Sequence, residues 1–435
     1  MASRGPKIVI IGGGLGGLAL ALSLHAHAIE SSVYDARPEP PLELSNKPAY
    51  STLNGYGGAI SLPPNGLRVL DRLGVYGLIR DRAFSFNEIQ LRSSRNLSLI
   101  GTGRTYKKGE SGYQSVRVAR SFVRRVLLDK AIEKGVKISY QKKAVSLQTK
   151  GTRTQVNFDD GSSVEADLVI GADGMHSKVR DEVASQAVPI FSGQTSIGGT
   201  VATGKLTALA PDIQLPCMIL GRANAFAFIP HTHDGKETTV FATIEMSDRS
   251  RAEWEAWMQD KATLKQEMVD RHGPNSEWPQ IVTTACLELD VERVSAWPCY
   301  KLPPLERYVS SDGRVVVLGD AAHGIPPHAG QGAAMAFEDA ATLADVIAAS
   351  SPVGLSERLS QWQQLRIARI KQVMEMTAKS GAARRATSSL LQQIIKEYVI
   401  WAYLWWNGAN HGVEWLYGYD TATIEWNFGG KGGIS

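Results

Sequence analysis

The sequence predicts an α/β fold: a Rossmann-like parallel sheet, an antiparallel sheet inserted into it, and helices at the C-terminal end. Three observations carry this. A short β-branched run at residues 7–11 ends in closely spaced glycines and opens onto an apolar stretch. Two further strand–glycine–acid segments, residues 167–180 and 314–339, lie far along the chain. Between them, residues 185–299 alternate apolar residues around turn formers, the pattern of a sheet buried on one face.

The opening segment reads Lys7-Ile-Val-Ile-Ile11, then Gly12-Gly-Gly14-Leu15-Gly-Gly17, then Leu18 to Leu24. The apolar run fits a buried parallel strand. Gly12 permits the tight turn out of it, Gly14 lets backbone approach a pyrophosphate, and Gly17 lets the next helix pack closely. That helix, entered at Leu15, offers free N–H groups and a positive dipole end to phosphate. A second strand, Ser32-Val-Tyr-Asp35, ends in a carboxylate roughly 20 residues past the glycines, where a ribose-binding acid belongs. Arg37 follows within reach of the adenosine side. One such fingerprint indicates a dinucleotide; three convergent segments indicate flavin adenine dinucleotide.

Composition narrows the class. With 435 residues, the chain holds two or three domains. A hydrophobic content of 43% and a charged content of 21% are those of a soluble globular protein. A net charge of +4 with mixed signs is too mild to indicate nucleic acid. The three cysteines, Cys217, Cys286 and Cys299, have no metal-ligand spacing and fit a reducing, cytoplasmic setting; no metal is expected. The five glycines between Gly12 and Gly17 argue against a signal or membrane helix there. The aromatic run 398–406 is shorter than the ~20 residues needed to span a bilayer.

The three dinucleotide segments must converge, so the intervening chain loops out and returns. Residues 1–75, 112–184 and 300–354 are expected to form the cofactor domain. Residues 76–111 and 185–299 are assigned to a substrate-facing domain, and 355–435 to a helical region. Within these, a helix is expected from Phe122 to Lys134, a hairpin around Asp159-Asp-Gly161, and one helical run from Arg251 to Arg271. The glycine-rich tail from Gly429 is expected to lack structure.

The middle segment is Asp167-Leu-Val-Ile-Gly171-Ala-Asp173-Gly174-Met-His-Ser177-Lys-Val-Arg180. The late one runs from Arg314 through Gly319-Asp320-Ala-Ala-His323-Gly-Ile-Pro-Pro327-His-Ala-Gly330-Gln-Gly332-Ala333 to Glu338-Asp339. With the opening fingerprint, they closely resemble the single-component (class A, para-hydroxybenzoate hydroxylase-like) FAD-dependent monooxygenases. The resemblance covers both ends and the middle of the cofactor domain. It implies that Asp320 binds ribose or ribityl hydroxyls, and that Gly330, Gly332 and Ala333 open a helix facing the flavin pyrimidine edge. It implies that Asp173 is shared between FAD and a visiting nicotinamide cofactor, with Arg180 as its basic partner. Arg120 aligns with a flavin-contacting arginine; its neighbours Arg117, Arg124 and Arg125 read as surface helix charges. Gly58, in Gly57-Gly58-Ala59-Ile60, belongs to the loop beside the isoalloxazine ring, and Pro327 shapes the ring pocket.

The implied activity uses NADPH (or NADH) as transient reductant and O2, through a flavin C4a-hydroperoxide. It hydroxylates or epoxidises an aromatic or polycyclic small molecule, such as a secondary metabolite. The cofactor supplies the redox chemistry. No second glycine fingerprint for the reductant is present. Many phenol-oxidising relatives carry Tyr-Arg-Gly after the middle segment. Here the stretch is Thr195-Ser-Ile197-Gly198-Gly199, without arginine. The candidates for acting on the substrate are Arg222 and His231; a solvated turn position is the simpler reading of His231. The rival functions are an FAD-dependent reductase and a non-catalytic flavin-binding redox sensor.

Overall fold

The computed structural model describes residues 6–40, 58–104, 112–326, 330–382, 386–407 and 412–428. Gly57, Pro327 and the tail from Gly429 lie outside the described residues. Five parallel strands form the first sheet, in the order Val315–Val317, Leu168–Gly171, Ile8–Ile11, Ser31–Tyr34 and Lys137–Ser139. The first three are buried along their whole length, which explains their unbroken apolar sequence. Helices Leu15–Ala26, Arg120–Glu133 and Gly332–Ala348 belong with this sheet; the first packs against each of the other two. Leu18, Leu20, Phe337 and Leu343 are fully buried in the shared core. The expected helix at Phe122 starts two residues earlier, at Arg120.

The second large sheet has seven strands, in the order Ser295–Lys301, Ile190–Ala202, Glu237–Glu245, Ala225–Pro230, Cys217–Leu220, Glu88–Ser93 and Leu99–Arg104. One face packs Phe226, Phe228, Val240 and Ile244 against Leu264, Met268 and Ile281 of helices Lys261–His272 and Gln280–Leu287. Because side chains alternate along a strand, the opposite face carries Glu237, Thr239, Phe241 and Thr243. A small sheet, Ala59–Leu62 with Ser115–Ala119 and Phe84–Phe86, joins the two halves. A fourth sheet, also antiparallel, contains the hairpin at Gly161 (Arg153–Phe158 and Ser163–Ala166).

The helical run at 251–271 divides in two. Asp260 ends helix Arg251–Gln259 and caps the next one, accepting a hydrogen bond from the Thr263 amide. After residue 354 come helix Leu355–Ala382, which buries Leu359, Trp362, Ile370 and Val373, and helix Leu390–Trp406. Among the described residues no helix is long and apolar enough to cross a membrane. The three cysteines are buried and unpaired, and no metal-ligand cluster occurs among the described residues.

Candidate cofactor and substrate site

The fingerprint glycines are required by geometry. Gly12 has φ +108°, and a Cβ there would collide with the Ala172 carbonyl. A Cβ on Gly17 would collide with the Gly12 carbonyl, because helix Leu15–Ala26 starts directly against the turn. Gly14 is different: a Cβ there meets nothing within 4 Å. Its helix has no side-chain cap and no acid in its first turn, so the amides at Leu15 and beyond face open space. An uncapped helix start beside an open glycine fits a pyrophosphate.

Asp35 stands at the end of the second strand, 2% exposed. Its carboxylate accepts from the Arg37 amide (2.9 Å), Arg37 Nε (2.9 Å), Arg37 Nη2 (2.6 Å) and Arg124 Nη2 (3.2 Å). Burial alone would raise its pKa; hydrogen bonds and charge from Arg37, then the charge of Arg124, outweigh this and hold the carboxyl below its ordinary value. Arg124 also donates from Nε to the Gly13 carbonyl at 2.9 Å. It thus ties the glycine turn to the acid. The sequence reading placed Arg124 on the surface; the helix turns it inward, a position to which only the placement of Arg120–Glu133 beside the fingerprint helix leads.

Arg120 itself is exposed; its backbone amide donates to the Gly58 carbonyl at 3.1 Å, which ties the start of its helix to the loop expected beside the ring. Asp173 caps its own turn: Ser177 Oγ donates at 2.5 Å, and the Lys178 and Val179 amides at 2.8 and 3.3 Å. Burial pushes its carboxyl up despite these bonds. Arg180 is neither solvated nor hydrogen-bonded to Asp173. It is buried and donates to the carbonyls of Ala187 (3.0 Å), Ala321 (3.1 Å) and Met175 (2.8 Å), stapling the middle segment to the late one.

In the late segment, Asp320 is half-buried and meets no described donor, with Oδ1 4.0 Å from where a Gly332 Cβ would stand. Helix Gly332–Ala348 starts at Gln331 without a side-chain cap; Gly330 has φ +63°, and Ala333 is half-buried on the first turn. An acid and an uncapped helix start thus lie side by side, suited to ribityl hydroxyls and an electron-rich ring edge. The same helix buries Glu338 and Asp339, a role the sequence did not reveal. Arg366 donates to both (2.9 and 2.7 Å), Arg369 holds Glu338, and Asn65 donates to Glu338 at 2.8 Å. Asp339 also accepts from His323 Nε2 at 2.7 Å and from the Gly319 amide at 2.9 Å, fixing the helix to the turn that carries Asp320.

The substrate sheet places its two candidates unequally. His231 is wholly buried, not at a solvated turn. Its Nδ1 lies 3.0 Å from Thr239 Oγ1, and its Nε2 lies 3.5 Å from Glu237. Burial lowers its pKa, so it is neutral at neutral pH. Glu237 is held down at about 2, chiefly by hydrogen bonds from Arg293 and then His231. Arg222 is exposed and paired with Glu277 at 2.7 Å. It adjoins a cleft lined by Gln194, Met218, Ala223, Phe241, Thr243 and Gly381. Arg117, read from sequence as a surface helix charge, lies in strand Ser115–Ala119 and is buried beside Phe241; burial lowers its pKa to about 10.

Comparison with known proteins agrees with this geometry. The family profile described as "FAD binding domain" matches residues 6–377. The chain is 26% identical over 443 residues to 3-amino-4-hydroxybenzoate 2-monooxygenase PtnB3 of Streptomyces platensis, covering 98% of each. It is 27% identical over 456 residues to a salicylate hydroxylase of Pseudomonas putida, covering 99% of this chain and 98% of that one. Among solved structures, Klebsiella pneumoniae HpxO complexed with FAD and uric acid shares the fold. It has 23% identity and a TM-score of 0.75 over 91% of this chain and 92% of that chain. The open Gly14, the uncapped helix starts and the free Asp320 fit FAD; this chain is an FAD-dependent monooxygenase and belongs to the FAD binding domain family.

Proposed function

We propose that the chain hydroxylates an aromatic small molecule, consuming NAD(P)H and O2 and releasing NAD(P)+ and water. The observation that carries this reading is the convergence of the glycine turn, Asp320 and the start of helix Gly332–Ala348: Gly16 lies against Leu318 and Ala336, and Gly332 lies beside Asp320. Bound FAD would take two electrons from the nicotinamide and pass them to dioxygen, one oxygen atom going to the substrate and one to water. The relatives named for aminohydroxybenzoate and salicylate support an aromatic substrate.

The chain's own residues then have separable tasks. Gly12, Gly14, Leu15 and Gly17 would hold the pyrophosphate, and Asp35 with Arg37 the adenosine ribose. Asp320 would take a ribityl hydroxyl. Gly330, Gly332 and Ala333 would present amides to the pyrimidine edge, stabilising negative charge there. Gly58, Arg120 and Pro327 would flank the ring, and Asp173 the approach of the reductant. Residues 76–111 and 185–299 would form the substrate side and keep water from the reacting carbon. His231, buried and neutral between Thr239 and Glu237, is suited to orient the Thr239 hydroxyl for a substrate rather than to take a proton itself. Arg222, exposed at the cleft rim, is suited to steering rather than to proton transfer.

The test is an absorbance spectrum of the purified protein, then anaerobic titration with NADPH and NADH. A bound flavin that bleaches, with oxygen uptake stimulated by aromatic ligands, is expected. Bleaching without stimulated oxygen uptake would favour a reductase, and a flavin that no nicotinamide bleaches would favour a sensor. Gly12→Ala is expected to abolish FAD retention, because its Cβ has no room against Ala172.

A further inference from the structure

Five arginines are buried among the described residues: Arg117, Arg124, Arg180, Arg366 and Arg369. Four are matched by acids or carbonyls. Arg124 has Asp35 and the Gly13 carbonyl, Arg180 has three carbonyls, and Arg366 and Arg369 share Glu338. Arg117 has neither. Its Nη1 donates to Ser61 Oγ at 3.1 Å, while its Nε is buried and meets no acceptor. Glu237, which shares strand Glu237–Glu245 with Phe241, is already held by both Nη atoms of Arg293 at 2.8 Å. A buried cation short of acceptors is costly, and the other four described buried guanidiniums are met by acids or carbonyls.

The location of Arg117 indicates what completes it. Its guanidinium lies 5.4 Å from the centre of the Phe241 ring, and that ring lines the cleft with Gln194, Met218 and Thr243. On its other side, Ser61 sits in strand Ala59–Leu62, three residues past Gly58 of the loop assigned to the flavin. Arg117 therefore stands between the cofactor loop and the substrate sheet. The edge left without a partner is the one bearing Nε, whose fork with Nη2 matches the two oxygens of a carboxylate. Phe241, as a lining residue of the cleft, offers an aromatic ligand a ring to pack on.

We propose that Arg117 anchors the carboxylate of an aromatic-acid substrate, held side-on by Nε and Nη2 with the ligand's ring against Phe241. This deepens the hydroxylase reading above and rests on it. Binding is measured on the FAD-loaded protein by perturbation of the flavin spectrum. The probes are a panel of hydroxybenzoates and hydroxynicotinates, each paired with its neutral amide. The wild type is expected to bind at least one acid more tightly than its amide. Arg117→Gln is expected to weaken that acid by at least about 30-fold, as loss of one partner of a buried charge pair requires. The amide should change by less than about threefold, with FAD retention unaltered. Arg117→Lys keeps the charge but not the fork and should fall between; it carries the test should Arg117→Gln not fold.

No acid binding more tightly than its amide, or an equal loss of both in the variant, would overturn the assignment. So would a loss of FAD affinity in the variant with the acid preference unchanged once FAD is added back to saturation, since Arg117 would then serve the cofactor. Failure of the hydroxylase reading is seen separately: a flavin that no nicotinamide bleaches would leave the acid preference readable in the same titrations.

Discussion

Helices Gly332–Ala348 and Leu390–Trp406 both turn acids inward, yet they end in opposite surroundings. In the first, Glu338 and Asp339 are fully buried and met by Arg366 and Arg369 from helix Leu355–Ala382, which also buries Trp362 and Ile370. In the second, Gln393 and Glu397 are buried against Ser93, Ser94 and Arg95. Their apolar neighbours face outward: Leu391, Ile395, Tyr398, Val399, Trp405 (71% exposed) and Trp406 (83% exposed). The difference teaches that an inward acid does not by itself make a sealed core. Two guanidiniums neutralise the first pair inside the protein, whereas one partly exposed arginine holds the second. An apolar face of that extent is the usual mark of a contact surface.

Breaking the sealed network should have the largest effect. Arg366→Ala leaves two buried acids short of a partner and is expected to cost about 3–5 kcal/mol in denaturant unfolding. A loss below about 1 kcal/mol would show that apolar packing alone holds the helix. Acid should probe the same network. Burial opposes it, but the charges of Arg366 and His323 hold the Asp339 pKa at about 2, against an ordinary 3.8. Its contribution is therefore complete above pH 3.8 and disappears as pH falls through about 2, on the order of 2 kcal/mol, visible as a falling Tm. Glu397→Ala strands Gln393 and Ser93 at a less enclosed site. It should cost about 1–2 kcal/mol, since Arg95 is partly solvated. Replacing Trp405 and Trp406 together by Ser should change stability by less than about 0.5 kcal/mol while lowering binding of an apolar dye. A large destabilisation there would mean that the face is covered in solution.

The same contrast explains what the sequence revealed. The strand, the glycine turn and Asp35 were legible because their requirements are local: φ at Gly12, clearance at Gly17 and an acid at a fixed distance. The late Asp320 and the opening of its helix were legible for the same reason. Arg117 and Arg124 were not, because their burial depends on elements more than a hundred residues away, Phe241 for one and Gly13 for the other. His231 lies only four residues before the turn glycine Gly235, and turn chemistry gives no sign that it is buried. The aromatic run was read as helical, as it is. The inward-facing side of that helix follows from Ser93 and Glu397 rather than from hydrophobic period.

The central sheet also sets a schedule for synthesis. Strand Ile8–Ile11 leaves the ribosome early, but its neighbour Leu168–Gly171 is more than 150 residues behind it, and Val315–Val317 follows over 140 residues later still. At ~5–20 residues per second, the nascent chain waits on the order of ten seconds or more between the first strand and the last. During that interval, the fingerprint turn exists without Asp320 or the helix behind it, and the edge of Leu168–Gly171 is unpaired. The candidate cofactor site is thus complete only once residue 333 has been made, and chains truncated before residue 315 should emerge colourless and sticky however intact their first glycines are.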